Sequence, residues 1–228
     1  MKTIAALFDC DGTLYSAQFG RGLLKHASEH QRKGSVRIYY AFVLIPYLLG
    51  KFGLTTDEKY LRPLIANLAR LIQGMSEQQA EDVFEWVVHE YLLPTQRQDI
   101  VARLYEHGLQ GHKVVLVSGV FMPVLKHLAQ AFHAAGFVGT QIEVQNGQYT
   151  GHIIPPLITG KDKKRYTQEF FSSRSMDIDW AASYAYADSI TDQSLFALVG
   201  HPVAVYPDAK LQRLAQTKGW EILGTQKA

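Results

Sequence analysis

The 228-residue sequence has a single cysteine, almost no net charge and no long apolar run. Cys10 has no second cysteine to pair with, which excludes an internal disulfide and favours a reducing compartment, so we expect the protein in the cytoplasm. The 23 Lys and Arg residues against 21 Asp and Glu residues leave a net charge of +2, which does not favour nucleic acid as a partner. The longest apolar run, residues 38–49, contains Pro46 and is far shorter than the roughly 20 residues that a membrane-spanning helix needs. The apolar residues before Asp9 are too few for a secretory signal.

Short apolar segments alternate with helical stretches along the chain. Each segment ends in a polar or turn residue; the segments are residues 3–8, 113–117, 183–187 and 202–206. This alternation predicts an α/β fold with a mostly parallel sheet, and a small hairpin is predicted at 148–154. Ligands of such sheets bind beyond the carboxyl ends of the strands. We therefore expect the chemistry at Asp9, Ser118, Asp188 and residues 207–208.

More than 90 residues with helical periodicity separate the first two predicted strands. A crossover between parallel strands needs far fewer, so the sequence predicts an inserted all-helical domain. Residues 56–58 resemble a helix start, and Ser76 with Gln79 resembles a capping box. We predict the inserted domain at residues 15–94 and the sheet domain at residues 1–14 and 95–228.

The first strand leads into Asp9 and Asp11, followed by Gly12 and Thr13. Carboxylates at positions i and i+2 of an extended chain point the same way. Two like charges so close together favour a hard cation with oxygen ligands, and Mg²⁺ is the natural candidate. An ordinary Asp-Gly turn after a strand explains the same residues equally well.

The segment from Asp9 to Thr13 resembles the first motif of the haloacid dehalogenase (HAD) superfamily, Asp-x-Asp-x-Thr, and three further stretches resemble its other motifs. Ser118 with Gly119 ends a later strand and matches the second motif. The third is a lysine at a helix start, for which we choose Lys161 over Lys163 and Lys164. The fourth is represented by Asp188 and Asp192. The large helical insertion is similar to that of the phosphoserine-phosphatase branch.

The resemblance implies a three-layer Rossmann-like core with a helical cap, and a Mg²⁺-dependent phosphatase that hydrolyses a small-molecule phosphate ester through an aspartyl-phosphate. Asp9 would be the nucleophile and Asp11 the general acid and base. The resemblance also implies a set of phosphate-binding residues, namely Thr13, Ser118, Gly119 and Lys161. The metal ligands that it implies are Asp9, Asp11, Asp188 and Asp192.

The inserted domain carries the information on specificity. Phosphoserine phosphatases have a Glu where this chain has Gln18, so phosphoserine is a doubtful substrate. Residues 15–56 hold six Lys or Arg and one acid beside the aromatic-rich run 38–49. We predict Gln18, Arg21 and Arg37 as specificity residues. The run 38–49 is interpreted as helical core, as a pocket for a lipid-like ester, as a membrane-binding surface or as an interface.

Three alternative functions stay open from the sequence alone. A phosphotransferase or mutase would use the same nucleophile, a lipid-phosphate phosphatase would work at a membrane surface, and a binding module would keep only the fold.

Overall fold

A computed structural model describes residues 2–30, 33–51 and 63–225 of the chain. Its strands are β1 (Ala5–Phe8), β2 (Lys113–Phe121), β3 (Gly136–Gln145), β4 (Gln148–Ile154), β5 (Tyr184–Ala187), β6 (His201–Val205) and β7 (Glu221–Leu223). Its α-helices are α1 (Phe19–Glu29), α2 (Lys33–Lys51), α3 (Glu77–Trp86), α4 (Gln98–Leu109), α5 (Met122–Ala131), α6 (Lys161–Ser172), α7 (Gln193–Phe196) and α8 (Ala209–Lys218). A 3₁₀ segment at Asn67–Ile72, a π-helical segment at Val87–Leu92 and short 3₁₀ turns at Leu93–Thr95 and Ile190–Asp192 complete the described helical structure.

Within the described residues the strands form one seven-stranded sheet in the order β4-β3-β2-β1-β5-β6-β7. Every neighbouring pair is parallel except β3 and β4. The hairpin predicted within 148–154 is wrong in its bounds, because these residues form the single strand β4, which pairs with β3, a strand that the sequence analysis did not predict. Strand β1 pairs with β2 on one side and with β5 on the other. The carboxyl ends of β1, β2 and β5 therefore meet at a topological switch point, where open α/β sheets bind ligands.

The sheet is the middle of three layers, because its strands bury side chains on both faces. Along β1, Ala6 and Phe8 join one core cluster and Ala5 and Leu7 the other. Helices α4 and α5 contribute to the first cluster, and α6, α7 and α8 to the second. The near-continuous apolar character of β1 follows from this double burial. The fold class predicted from the sequence is confirmed.

The described part of the insertion is helical and forms no strand, in agreement with the prediction. Ser76 accepts a hydrogen bond from the Gln79 N–H, and the Gln79 side chain accepts one from the Ser76 N–H, which confirms the capping box. The predicted helix start at 56–58 lies outside the described residues. The insertion also pairs with the hairpin, through a bridge between Ser76 and Gln148. Its limits as a separate domain, 15–94, stay a prediction.

The aromatic-rich run lies on α2 and divides between core and surface. Tyr39 and Val43 are buried, whereas Ile38, Tyr40 and Phe42 are about half exposed. The core interpretation of this run is therefore right for one face of the helix. Among the helices that the structure describes, we find none with the length and apolar content to cross a membrane.

Strand β2 extends further than the sequence indicates. It continues to Phe121, and its register against β3 shifts between Val117 and Phe121. The helix that follows, α5, begins at Met122. The irregular stretch is fastened by Thr140, whose hydroxyl donates to the Gly119 carbonyl at 2.9 Å and accepts from the Ile158 N–H at 3.2 Å.

Thr140→Val should lower the free energy of unfolding by about 1–3 kcal/mol, because the buried partners of the hydroxyl lose their hydrogen bonds. Thermal or urea unfolding measures this change. Thr217→Val is the matched control, since the exposed Thr217 hydroxyl donates only to Arg213 O within α8. Equal stability of the two variants would contradict the role assigned to Thr140.

Candidate active site

Asp9 lies directly after β1 and is almost completely buried, with 5% of its surface exposed. Its N–H donates to the Tyr186 carbonyl of β5 at 2.9 Å, which continues the pairing of β1 with β5 by one residue. Thr13 is fully buried, and its hydroxyl donates to Asp9 Oδ2 at 3.3 Å. Thr13 therefore orients Asp9, and it is not among the residues that line the adjoining cavity. This corrects its predicted role as a direct phosphate ligand.

Asp9, Asp188 and Asp192 bring one carboxylate oxygen each to within 4.8 Å of one another. The pairing of β1 with β5 places Asp9 beside Asp188, and the turn at Ile190–Asp192 returns Asp192 to the same point. Burial and the neighbouring Asp9 raise the pKa of Asp188, and burial raises that of Asp192. A cluster of hard oxygen ligands whose mutual repulsion needs a counter-charge fits a divalent cation such as Mg²⁺.

Lys163 supplies the positive charge at the cluster, which corrects the choice of Lys161. Its Nζ lies 2.7 Å from Asp9 Oδ1 and 2.5 Å from Asp192 Oδ1. Burial disfavours the ammonium, but Asp192 and Asp9 outweigh this effect and raise the pKa of Lys163. Lys161 is the first residue of α6 and is exposed. The inward face of α6 consists of Lys163, Thr167 and Phe171, so four-residue spacing is the signal that would have selected Lys163.

Asp11 does not belong to the carboxylate cluster, although the sequence predicts it as a ligand. Both of its carboxylate oxygens accept from the Phe19 N–H at 3.1 Å, at the start of α1. Burial raises the pKa of Asp11 to about 7, while polar contacts with the Tyr15 hydroxyl and the Phe19 N–H favour the ionised form. A carboxyl group with such a pKa is suited to give and to take a proton near neutral pH.

Gly12 lets the chain turn directly after Asp11. Its φ is +82°, and a Cβ at this position would clash with the Asp188 carboxylate. The residue must therefore be glycine, both for its backbone conformation and for the close approach of Asp188. The Gly12 carbonyl accepts from Arg97 Nε at 3.0 Å. Sequence analysis did not single out Arg97, which fixes this turn from the start of α4.

Hydrogen bonds to Asp208 hold the loop after β5 in place. Asp208 Oδ2 accepts from the Ile190 N–H at 2.9 Å and from the Ser189 hydroxyl at 3.1 Å. Its other oxygen accepts from the Lys210 and Leu211 N–H groups in the first turn of α8, so Asp208 is also the N-cap of that helix. The sequence analysis expected chemistry at position 208, whereas in the structure Asp208 holds the loop after β5 and caps α8.

A cavity of about 630 Å³ opens above the cluster. Its floor includes Asp9, Asp11, Asp188, Asp192 and Lys163, together with Ser118 and Gly119 from the irregular end of β2. The predicted phosphate-binding pair Ser118 and Gly119 thus lies beside the predicted nucleophile. Such a floor combines carboxylate oxygens, one ammonium and a hydroxyl, which is the donor set for a metal-bound phosphate.

The described residues of the insertion form the opposite wall of the cavity. They are Gln18, Phe19, Gly20, Arg21, Leu24, Tyr39, Leu64, Ile65 and Leu68. Two of the three predicted specificity residues, Gln18 and Arg21, are on this wall. Arg37 is not, because on α2 it is Tyr39 that faces the cavity. Within the described part of the chain, Arg21 is the one charged side chain that the insertion contributes to the wall.

The family model of haloacid dehalogenase-like hydrolases matches residues 6–197, which span the cluster, Lys163 and the insertion. The chain belongs to this family. Membership agrees with the four motifs identified in the sequence.

Several relatives of the chain are named as phosphatases. A histidinol-phosphatase of Neisseria meningitidis is 28% identical, over 98% of this chain and 99% of the relative. Among solved structures, a Bordetella pertussis protein of unknown function has a TM-score of 0.85 at 22% identity, covering 98% of this chain and 99% of its own. A phosphoserine phosphatase, solved as a phospho-aspartyl intermediate analogue, has a TM-score of 0.65 at 18% identity, covering 100% of this chain and 95% of its own. The chain is a HAD-type phosphatase.

Lys163→Met should reduce phosphatase turnover about 100-fold or more, because the charge facing Asp9 and Asp192 is lost. Lys161→Met is the matched control on the same helix and should stay within about two-fold of wild type, since a surface charge contributes little. Turnover of 4-nitrophenyl phosphate measures both. The reverse order of effects would restore the original assignment of Lys161.

Proposed function

We propose that the protein is a Mg²⁺-dependent phosphatase that hydrolyses a small-molecule phosphate monoester through an aspartyl-phosphate on Asp9. The observation that carries the proposal is the position of Asp9 at the floor of the cavity, within ion-pair distance of Lys163 and in one cluster with Asp188 and Asp192. A nucleophilic carboxylate must be held still and faced by positive charge when it meets an anionic phosphate.

In the first step an Asp9 carboxylate oxygen forms a bond to phosphorus while the bond from phosphorus to the ester oxygen breaks. Asp11 gives its proton to that departing oxygen, so the alcohol leaves neutral. In the second step water attacks phosphorus, and Asp11 takes a proton from it. The bond between phosphorus and Asp9 then breaks, which releases inorganic phosphate and restores both aspartates.

The side chains around Asp9 favour this sequence by charge and by position. Lys163 and the Ser118 hydroxyl face the region that the phosphate oxygens would occupy, where they can balance charge that spreads over those oxygens. Asp9, Asp188 and Asp192 would hold Mg²⁺, which when bound neutralises charge and aligns the phosphoryl group. Asp11, bonded to the start of α1, stays free of the cluster for proton transfer.

The wall of the insertion supports an alcohol with an apolar part. Its described members include Phe19, Leu24, Tyr39 and Leu68, and they include no carboxylate to pair with an ammonium group. Gln18, at the position of the acid in phosphoserine phosphatases, offers only a neutral amide. We therefore favour apolar or anionic alcohol groups over aminoalcohols, although histidinol-phosphatase is a relative. Neither the described residues nor these relatives support a lipid or membrane partner.

Turnover should depend on Mg²⁺ in a screen of sugar, amino-acid, nucleotide, aryl and lipid-like phosphate esters. We expect EDTA to abolish phosphate release and added Mg²⁺ to restore it, because the carboxylate cluster then regains its counter-charge. Adding acceptor alcohols to the same assay separates a phosphotransferase, which would form a new ester instead of phosphate. Full activity in EDTA would refute the metal requirement.

Asp9→Asn should remove phosphate release by about 10⁴-fold or more, since an amide is a poor nucleophile, while the fold is retained. Turnover of the best ester from the screen and circular dichroism measure the two effects. Brief acid quenching of the wild-type enzyme with a ³²P-labelled ester should trap label on the protein, and the variant should trap none. Substantial turnover by Asp9→Asn would show that another group attacks phosphorus.

A further inference from the structure

Tyr15 carries a hydroxyl group that packing does not explain. Its side chain is fully buried, and among the described residues its oxygen makes no hydrogen bond of regular geometry. A buried hydroxyl without a partner destabilises a protein, and phenylalanine would fill the same space without that cost. The hydroxyl group therefore calls for a functional reason.

The main chain of Tyr15 is fixed beside the active-site turn. Its carbonyl accepts from the Gly12 N–H at 3.0 Å, and Tyr15 forms bridges with both Asp11 and Gln96. The loop that carries Asp11 thus folds back onto Tyr15. This arrangement places Tyr15 beside Asp11 in the fold.

The charged group that acts most strongly on the Tyr15 hydroxyl is the Asp11 carboxylate. Burial, followed by the charge of Asp11, raises the pKa of Tyr15 well above its ordinary value, so the phenol keeps its proton. A neutral phenol beside a carboxylate is a hydrogen-bond donor to it. The same carboxylate already accepts from the Phe19 N–H. Asp11 consequently has two potential donors, one from the turn and one from the first residue of α1.

We infer that Tyr15 is a positioning residue for Asp11: its hydroxyl, together with the Phe19 N–H, holds the carboxyl group in the orientation that proton transfer requires. Tyr15 is not among the cavity-lining residues, so it acts through Asp11 and does not touch the substrate. The inference rests on the proposed function, because it presupposes that Asp11 protonates the leaving alcohol.

The decisive measurement is kcat/KM of Tyr15→Phe for two esters, since kcat/KM reports on steps up to departure of the alcohol. The esters are 4-nitrophenyl phosphate, whose leaving group needs no proton, and the primary-alcohol phosphate that wild type hydrolyses fastest in the screen. We expect a loss of about ten-fold for the alkyl ester and less than about two-fold for the aryl ester. The melting temperature should stay close to that of wild type, because the hydroxyl makes no hydrogen bond of regular geometry. Equal effects on the two esters, or none on the alkyl ester, would overturn the inference.

Tyr186→Phe is the matched control, because it also removes a buried phenol hydroxyl. That hydroxyl is hydrogen-bonded to His107 Nε2 at 2.8 Å, and Tyr186 is not among the cavity-lining residues. This variant should melt at a lower temperature and keep the wild-type ratio of alkyl to aryl turnover. A purely structural role for Tyr15 would give the same pattern as Tyr186→Phe.

Asp11→Asn separates the failure of this inference from that of the proposed function. Asp11→Asn should itself slow the alkyl ester about 100-fold more than the aryl ester. Adding Tyr15→Phe to it should cause no further loss, because a positioning residue has no effect once its target is gone. If Asp11→Asn slows both esters equally, the proposed acid role fails. If Asp11→Asn is selective but the double variant loses a further ten-fold, only the role of Tyr15 fails.

Discussion

The candidate active site is built on the confinement of three carboxylates and one ammonium group in a largely buried region at the floor of the cavity. With all four groups ionised, Asp9, Asp188, Asp192 and Lys163 leave a net charge of −2. Such a charge is unfavourable in a buried place unless a cation compensates for it. The parallel pairing of β1 with β5 imposes the confinement, because it ends both strands at the same edge. The stability of the sheet thus offsets the electrostatic repulsion among the carboxylates of the site.

The first two aspartates have different partners, although both face the cavity. Asp9 and Asp11 line its floor, whereas Cys10 between them is buried in the core, as alternation along an extended chain predicts. Asp9 forms an ion pair with Lys163, and Asp11 is held at the first N–H of α1. In the proposed mechanism one carboxylate is thereby placed for attack on phosphorus and the other for proton transfer.

Sequence patterns predicted those parts of the site that depend on strand ends. Asp9 and Asp188 follow short apolar runs, and parallel pairing brings such ends together whatever the details of packing. The lysine was missed because the residues at 161, 163 and 164 are identical, and only the rotation of α6 distinguishes them. Arg37 was wrongly placed at the cavity for a similar reason: the face that α2 presents is set by the burial of Tyr39 and Val43. The rotation of a helix about its own axis is set by tertiary packing and only weakly by the local sequence.

In the proposed mechanism, chemistry and specificity belong to different layers of the molecule. The groups that would act on phosphorus come from the sheet edge and α6, whereas the alcohol would meet side chains of the insertion. Asp11 and Phe19 connect the two layers. The Asp11 carboxylate, which would protonate the alcohol, accepts a hydrogen bond from the Phe19 N–H, and Phe19 also lines the wall that the alcohol would contact. An alcohol that displaces α1 from this position would also disturb the proton donor. Selection of the substrate can therefore act on the rate of proton transfer as well as on binding, which is how remote contacts come to favour one transition state over another.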